Sequence, residues 1–163
     1  MKKPKTLSPE VVKLFYPLLS AEYEAFYFYQ NAANYCKGVG YFKAGKYFAD
    51  ESADELSHAQ KLQNFLVDWN IHPELPEIDE PKETTSLIQI IEAAYAMEYK
   101  LYEAYESVSV DVLKLGDVCV FDLFQFFRDV QTKSVAEYSD KLNMLEGVKD
   151  SKFELLMLEE KLF

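Results

Sequence analysis

Long stretches of this sequence contain no helix breaker, and the one stretch that cannot be helical, Asn70 to Thr85, falls between the second and third of them. Only five glycines and six prolines occur in 163 residues, and three of the prolines (Pro73, Pro76 and Pro81) lie in that single segment. Proline fixes φ and removes a backbone donor, so it ends a helix or keeps one from starting. On either side of the segment, apolar residues recur every three or four positions, which is the pattern of an amphipathic helix.

Ser8-Pro9-Glu10 reads as an N-cap, a first-turn proline and an acidic residue suited to the helix dipole. From it a first helix carries Val11, Phe15, Leu18, Leu19, Phe26, Tyr29 and Ala33, and ends at Gly38 and Gly40. A second uses Phe42, Phe48, Leu56, Ala59, Leu62, Phe65, Leu66 and Trp69. Ser86 caps a third, with Leu87, Ile91, Ala94, Tyr95, Leu101, Tyr102 and Tyr105. Asp117 opens a fourth, with Phe124, Phe127, Val135, Tyr138, Leu142 and Leu145, closed at Gly147. A short amphipathic fifth helix spans Asp150 to Leu162.

Tight glycine turns join helices one to two and three to four, so each pair is antiparallel. A helix of about 28 residues is about 42 Å long, and some 16 extended residues reach about 53 Å. The proline-rich connector can therefore run the whole length of a bundle, which lets the third helix start at the same end as the first. Leu75 and Ile78 are expected to pin it to the bundle surface. The fold class is all-α: a four-helix bundle with one long crossover connection and a short C-terminal fifth helix. It reads as one domain over 1–163, with the bundle at about 8–146 and the fifth helix at about 150–162. No internal repeat stands out.

Four helices carry polar residues where apolar ones belong. Glu22 lies in the apolar stripe of helix one, between Leu18 and Leu19 before it and Ala25 and Phe26 after. Glu98 sits likewise in helix three, among Ala94, Tyr95, Leu101 and Tyr102. In helix two, Glu55 and His58 are three apart and share a face. Gln131 interrupts the stripe of helix four. Each lies about 12 to 14 positions from its helix start, and in an antiparallel bundle midpoints meet. The five residues fall in one central layer.

A Glu-x-x-His pair alone is common on exposed helix faces, and a lone mid-helix Glu is usually a boundary residue. Matching depth on four helices is another matter, because burying three carboxylates together is very unfavourable without a compensating cation. Oxygen donors with one imidazole suit iron or manganese, and carboxylates can bridge two ions. A dinuclear redox site is the expectation. The Tyr and Phe stripes read as core, His72 as a surface residue, Cys36 and Cys119 as inert buried thiols, and the Glu159-Glu160 pair as a solvated face.

A net charge of −11 argues against nucleic acid and anionic membrane surfaces, both of which repel it. No apolar run approaches the ~20 residues a membrane span requires. The start, Met1 to Lys5, is basic but no apolar leader core follows. Two distant cysteines make neither a disulfide scaffold nor a zinc knuckle, and the cytosol is the expected compartment.

Glu22-x-x-Ala25 with Tyr29, Asp54-Glu55-x-x-His58-Ala59-x-Lys61-Leu62, Glu98 and Gln131 together resemble the ferroxidase-centre motifs of non-haem ferritins. The connector is similar to the ferritin crossover loop, and Phe153 to Leu162 to the short fifth helix of ferritins. The resemblance implies that Glu22 and His58 bind a first iron, Glu55 bridges and Glu98 binds the second. It makes Gln131 a weaker partner and places Tyr29 beside the centre. It implies oxidation of Fe(II) by O2 or peroxide, storage of ferric mineral in a homo-oligomeric cage, usually a 24-mer, and a fifth helix lining its four-fold axes. Bacterioferritins carry a methionine after the bridging Glu and a second Glu-x-x-His on helix four. Here Leu56, Gln131 and Ser134 stand there, so no haem is expected. Val130 and Ser134 replace the acids of a third iron site, so none is expected. Nucleating acids on helix two are few, with Asp54 kept and Ser57 and Gln60 neutral, and Asp50 and Glu51 are the candidates to substitute. The run into helix four, with Val120, Phe121 and Phe124, is apolar where ferritin entry channels often carry acids. Two other readings stay open: a diiron oxygenase acting on an organic substrate, and a non-catalytic cage.

Overall fold

The computed structural model describes residues 3–83 and 85–163. Met1 and Lys2, which begin the basic start, and Thr84 of the connector lie outside them. The described residues form α1 (Pro9–Val39), α2 (Phe42–Asp68), α3 (Leu87–Lys114), α4 (Val118–Leu145) and α5 (Lys152–Leu162), with no strand among them. Among the described residues no helix is long and apolar enough to cross a membrane.

The expected caps form. Ser8 Oγ accepts from the Val11 amide at 3.3 Å, Ser86 Oγ from Gln89 at 3.2 Å and Asp117 Oδ1 from Val120 at 3.0 Å. Helix α5 starts at Lys152 rather than Asp150, with Ser151 as its cap. Gly38 stays inside the last turn of α1, while Gly40, at φ 92°, supplies the left-handed residue that ends it. Pro17 sits inside α1 without ending it. Both Pro17 and Lys13, whose carbonyl loses its helical partner, are exposed, so water can take the freed acceptor.

The connector's direction corrects one expectation. Asn70 Nδ2 donates to the Lys5 carbonyl at 2.9 Å, which puts the end of α2 beside the start of α1. Tyr35 Oη donates to the Thr85 carbonyl at 2.8 Å, which puts the start of α3 beside the end of α1. Crossing the whole bundle from where α2 finishes returns the chain to where α2 began. Helix α3 therefore starts at the far end from α1's start and runs antiparallel to it. Leu75 does not pin the crossover, being 66% exposed; Ile78 is half-buried, and the two form a shallow cleft with Tyr23, Phe26 and Tyr27.

The apolar interior comes in two clusters. One holds Leu18, Leu19, Leu62, Tyr105, Phe124 and Phe127 near the start of α1, and the other holds Tyr29, Ala33, Phe48, Ile91, Ala94 and Tyr138 toward the α1–α2 turn. The polar layer lies between them.

Helix α5 closes the second cluster with Leu155 and Leu162, and here two further expectations change. The first turn of α2 has no side-chain cap of its own, because Tyr41 stands at the N-cap position. Glu159 supplies it: the residue is 7% exposed and its Oε1 accepts from the Ala44 amide at 2.9 Å. A buried carboxylate is stable there because it meets free N–H groups and the positive end of the helix dipole. Glu160 alone is solvated, pairing with Lys43 at the surface. Lys141 anchors the tail from α4, donating to the Leu162 carbonyl at 2.7 Å. Cys36 is buried, with its thiol pushed up to about 12 by burial and by Glu159, but Cys119 is exposed. It occupies the first turn of α4 beside Val118, which is 63% exposed.

Candidate metal centre

Each residue of the central layer is aimed inward by its helix. Glu22 and Glu98 are 0% exposed, Gln131 1% and Glu55 3%. The His58 imidazole is 13% exposed. The structure brings all five together, with Tyr29 alongside. One ligand atom each from Glu22, Glu55 and His58 lies within 4.8 Å of the other two. His58 Nδ1 is 3.1 Å from Glu55 Oε2 and 3.6 Å from Glu22 Oε2. Glu98 faces the other side of the layer, where Gln131 Nε2 donates to its Oε2 at 2.7 Å and the Tyr29 hydroxyl donates to its Oε1.

Tyr105, read from sequence only as core, proves to belong to the site: its hydroxyl donates to Glu22 Oε1. It is the counterpart of Tyr29. On α1 a tyrosine follows Glu22 by seven residues, and on α3 another follows Glu98 by seven. Because α1 and α3 are antiparallel, each tyrosine reaches across to the other helix's glutamate, one from each apolar cluster. This Glu-x6-Tyr spacing, which keeps both residues on one helix face, was the available signal.

Burial and close neighbours move the titrating groups of the layer well away from their ordinary values. Burial lifts the Glu55 carboxyl to about 8, with the His58 hydrogen bond pulling the other way and the Glu22 charge pushing up. Burial and the Glu55 charge lift Glu98 to about 7 against the pull of Tyr29 and Gln131. Burial disfavours a charged His58, yet the neighbouring Glu22 and Glu55 carboxylates win and hold it at about 10. Burial keeps Tyr29 and Tyr105 protonated well above the usual phenol range, so both act as neutral donors. Glu51, one turn before Glu55, is raised to about 8 by burial and by Glu137, Glu98 and Glu55, whereas Asp50 points out and pairs with Lys46 at 2.5 Å.

The donor set of Glu22, Glu55 and His58 fits a hard or borderline divalent ion. Its clearest sign is Glu22 Oε2, a buried carboxylate oxygen with no hydrogen-bond partner. Such an atom is rare in a native interior, and a cation between Glu22, Glu55 and His58 would satisfy it.

A four-helix bundle with one long crossover and a carboxylate-rich centre shared by all four helices defines a ferritin-like protein. Comparison bears this out, and the chain belongs to the ferritin family: the pattern of its ferritin-like domain matches residues 13–148. Within it the chain is similar to non-haem ferritins. It is 22% identical over 157 residues to a bacterial non-haem ferritin of Staphylococcus aureus, covering 96% of this chain and 95% of that one. It is 26% identical over 143 residues to another from Campylobacter jejuni, covering 85% and 86%. Among solved structures it resembles an open-pore ferritin from Archaeoglobus fulgidus, with TM-score 0.88 and 22% identity over 96% of each chain. A humanized archaeal ferritin gives TM-score 0.89 at 22% identity, over 96% of this chain and 97% of that one. These structural likenesses establish the fold; family membership brings iron storage with it.

Proposed function

We propose that this chain is a ferroxidase-active ferritin subunit that oxidises Fe(II) and stores the product as ferric mineral. The observation that carries the reading is the central layer: three buried carboxylates and an imidazole from three helices, one carboxylate oxygen lacking a hydrogen-bond partner. Glu22 and His58 hold one iron, Glu55 bridges, and Glu98 holds the second, oriented by Gln131. Tyr29 and Tyr105 fix Glu98 and Glu22, so the ligands are pre-aimed by their hydrogen-bond partners.

Iron is the substrate. As two Fe(II) ions enter, the protons held on Glu55, Glu98 and His58 leave, because only the deprotonated groups bind metal. Each iron then gives up one electron. The two electrons and two protons convert O2 to H2O2, or H2O2 to two waters. The protein supplies a fixed, dry, oxygen-rich geometry, and the iron supplies the redox chemistry.

The cage belongs to the same proposal: a homo-oligomer, with 24 subunits as the family precedent. Val110, Leu113 and Val118, 51–63% exposed at one end of the α3–α4 pair, support it, as do Phe153 and Met157 of α5 at 76% and 67%. Apolar groups left in such number on one chain suit burial against further copies. The net charge of −11 suits cationic cargo and repels nucleic acid and anionic membrane surfaces. The free cysteines suit a reducing cytosol.

The test is the iron retained per chain after excess Fe(II) is added in air and the protein is desalted. Many ions per chain on a very large particle are expected. About two per chain on a small particle would favour a diiron oxygenase instead, since a dinuclear site holds no more. No retained iron would refute both.

A further inference from the structure

Four of the five layer residues offer an incoming ion almost no surface, with Glu22, Glu98, Gln131 and Glu55 at 0–3% exposure. His58 is the exception at 13%, and it lines a cleft of about 530 Å³ between α2 and α4, together with Ser57, Asn64 and Phe65. Six waters occupy about 180 Å³ at ~30 Å³ each, so the cleft accommodates a hydrated divalent ion before it sheds water. Two side chains stand in the cleft beside the imidazole. The Phe126 ring, 42% exposed, stands edge-on to His58 with centroids 6.5 Å apart. Lys61 Nζ lies over the Phe126 ring, 4.4 Å from its centre, tying α2 to α4 across the opening. A cation–ring contact at an exposed site is weak, so it opens readily. Asp68 lines the same cleft.

We propose that Fe(II) reaches the centre through this α2–α4 cleft, and that Lys61 resting on Phe126 is a cationic lid that sets the entry rate. The inference rests on the metal-centre reading and adds the route to it. Neither lid residue is among the ligands, so the lid governs how fast ions arrive and leave. Its charge opposes a divalent ion at close range. A unit charge about 8 Å from a divalent ion in water changes the encounter rate about five-fold, and salt screens that effect.

The experiment follows Co(II) binding to the metal-free, full-length protein by stopped flow, reading the cobalt visible absorption, so that no oxidation is involved. Lys61→Gln is expected to bind about five-fold faster than the parent at low ionic strength, Lys61→Glu faster still, with the differences shrinking in high salt. Asn64→Trp, which fills the cleft, is expected to slow binding and release together while affinity and stoichiometry stay those of the parent. Ala93→Trp, on the exposed face of α3, is the control and is expected to leave the rates unchanged. Should Asn64→Trp fail to fold, Lys61→Gln, an exposed-for-exposed exchange, carries the test. Parent-like rates in both Lys61→Gln and Asn64→Trp would overturn the route. Absence of Co(II) binding to the parent, or full binding to Glu55→Ala, would instead overturn the metal-centre reading and the route with it.

Discussion

Alanine in place of Glu55 is expected to lower the rate of Fe(II) oxidation by at least about 100-fold, read by stopped-flow absorbance of the ferric product. Loss of a residue that only supports a metal ligand reduces affinity or activity about 10–100-fold, and Glu55 is assigned a larger role as the bridge between both ions. It also stands 3.1 Å from His58, so its removal takes away a partner of the imidazole as well as a coordination position. The helices should persist, because the two apolar clusters lie on either side of the layer and do not include Glu55. Far-ultraviolet circular dichroism of the variant is therefore expected to match the parent. Parent-like oxidation by a folded Glu55→Ala protein would mean that iron reacts elsewhere on the molecule.

Raising the pH is expected to destabilise the metal-free protein, and a divalent metal is expected to reverse this. Glu55 and Glu98 stand at about 8 and 7 in the fold, above the ordinary 4.5 of a glutamate. His58 stands at about 10, above its ordinary 6.5. All three shifts are upward, so the native state holds more protons than the unfolded chain and stability falls as pH rises. The His58 contribution is complete below 6.5 and lost as pH rises through about 10. The two carboxyl groups are unstrained below 4.5 and increasingly unfavourable as pH passes through 7 and 8. Metal binding takes the deprotonated forms, so its stabilisation grows over the same interval; a ligand at 100 times its Kd adds about 2.7 kcal/mol. Thermal melts at pH 6 and pH 9, with and without anaerobic Fe(II), are expected to show the metal-free Tm falling and the metal-induced increase widening. An increase of equal size at both pH values would show that these groups are not the ligands.

The candidate ligands were legible because each is a polar residue in an apolar stripe, and burial makes such residues conspicuous. The sequence spacing put Glu22, Glu55, His58, Glu98 and Gln131 at one depth, and the structure places them in one layer. Tyr105 escaped notice for the opposite reason: tyrosine is at home in a core, and its hydroxyl shows its purpose only when the antiparallel partner is known. The same direction error hid it, since helix three read as starting beside helix one would not carry Tyr105 toward Glu22. Glu159 escaped because two adjacent acids on an amphipathic helix look solvated. Only tertiary packing shows that one of them caps a different helix, α2, whose own N-cap residue, Tyr41, cannot. Leu75 shows the converse, an apolar residue that sequence reasoning buries and a single chain leaves out in solvent.

Anomalous diffraction from crystals soaked anaerobically in Fe(II) tests the central claim most directly. Two iron peaks are predicted in the polar layer, one against Glu22 and His58 and one against Glu98, with the Glu55 carboxylate between them. Iron bound only at surface acids, with no peak inside that layer, would contradict the account.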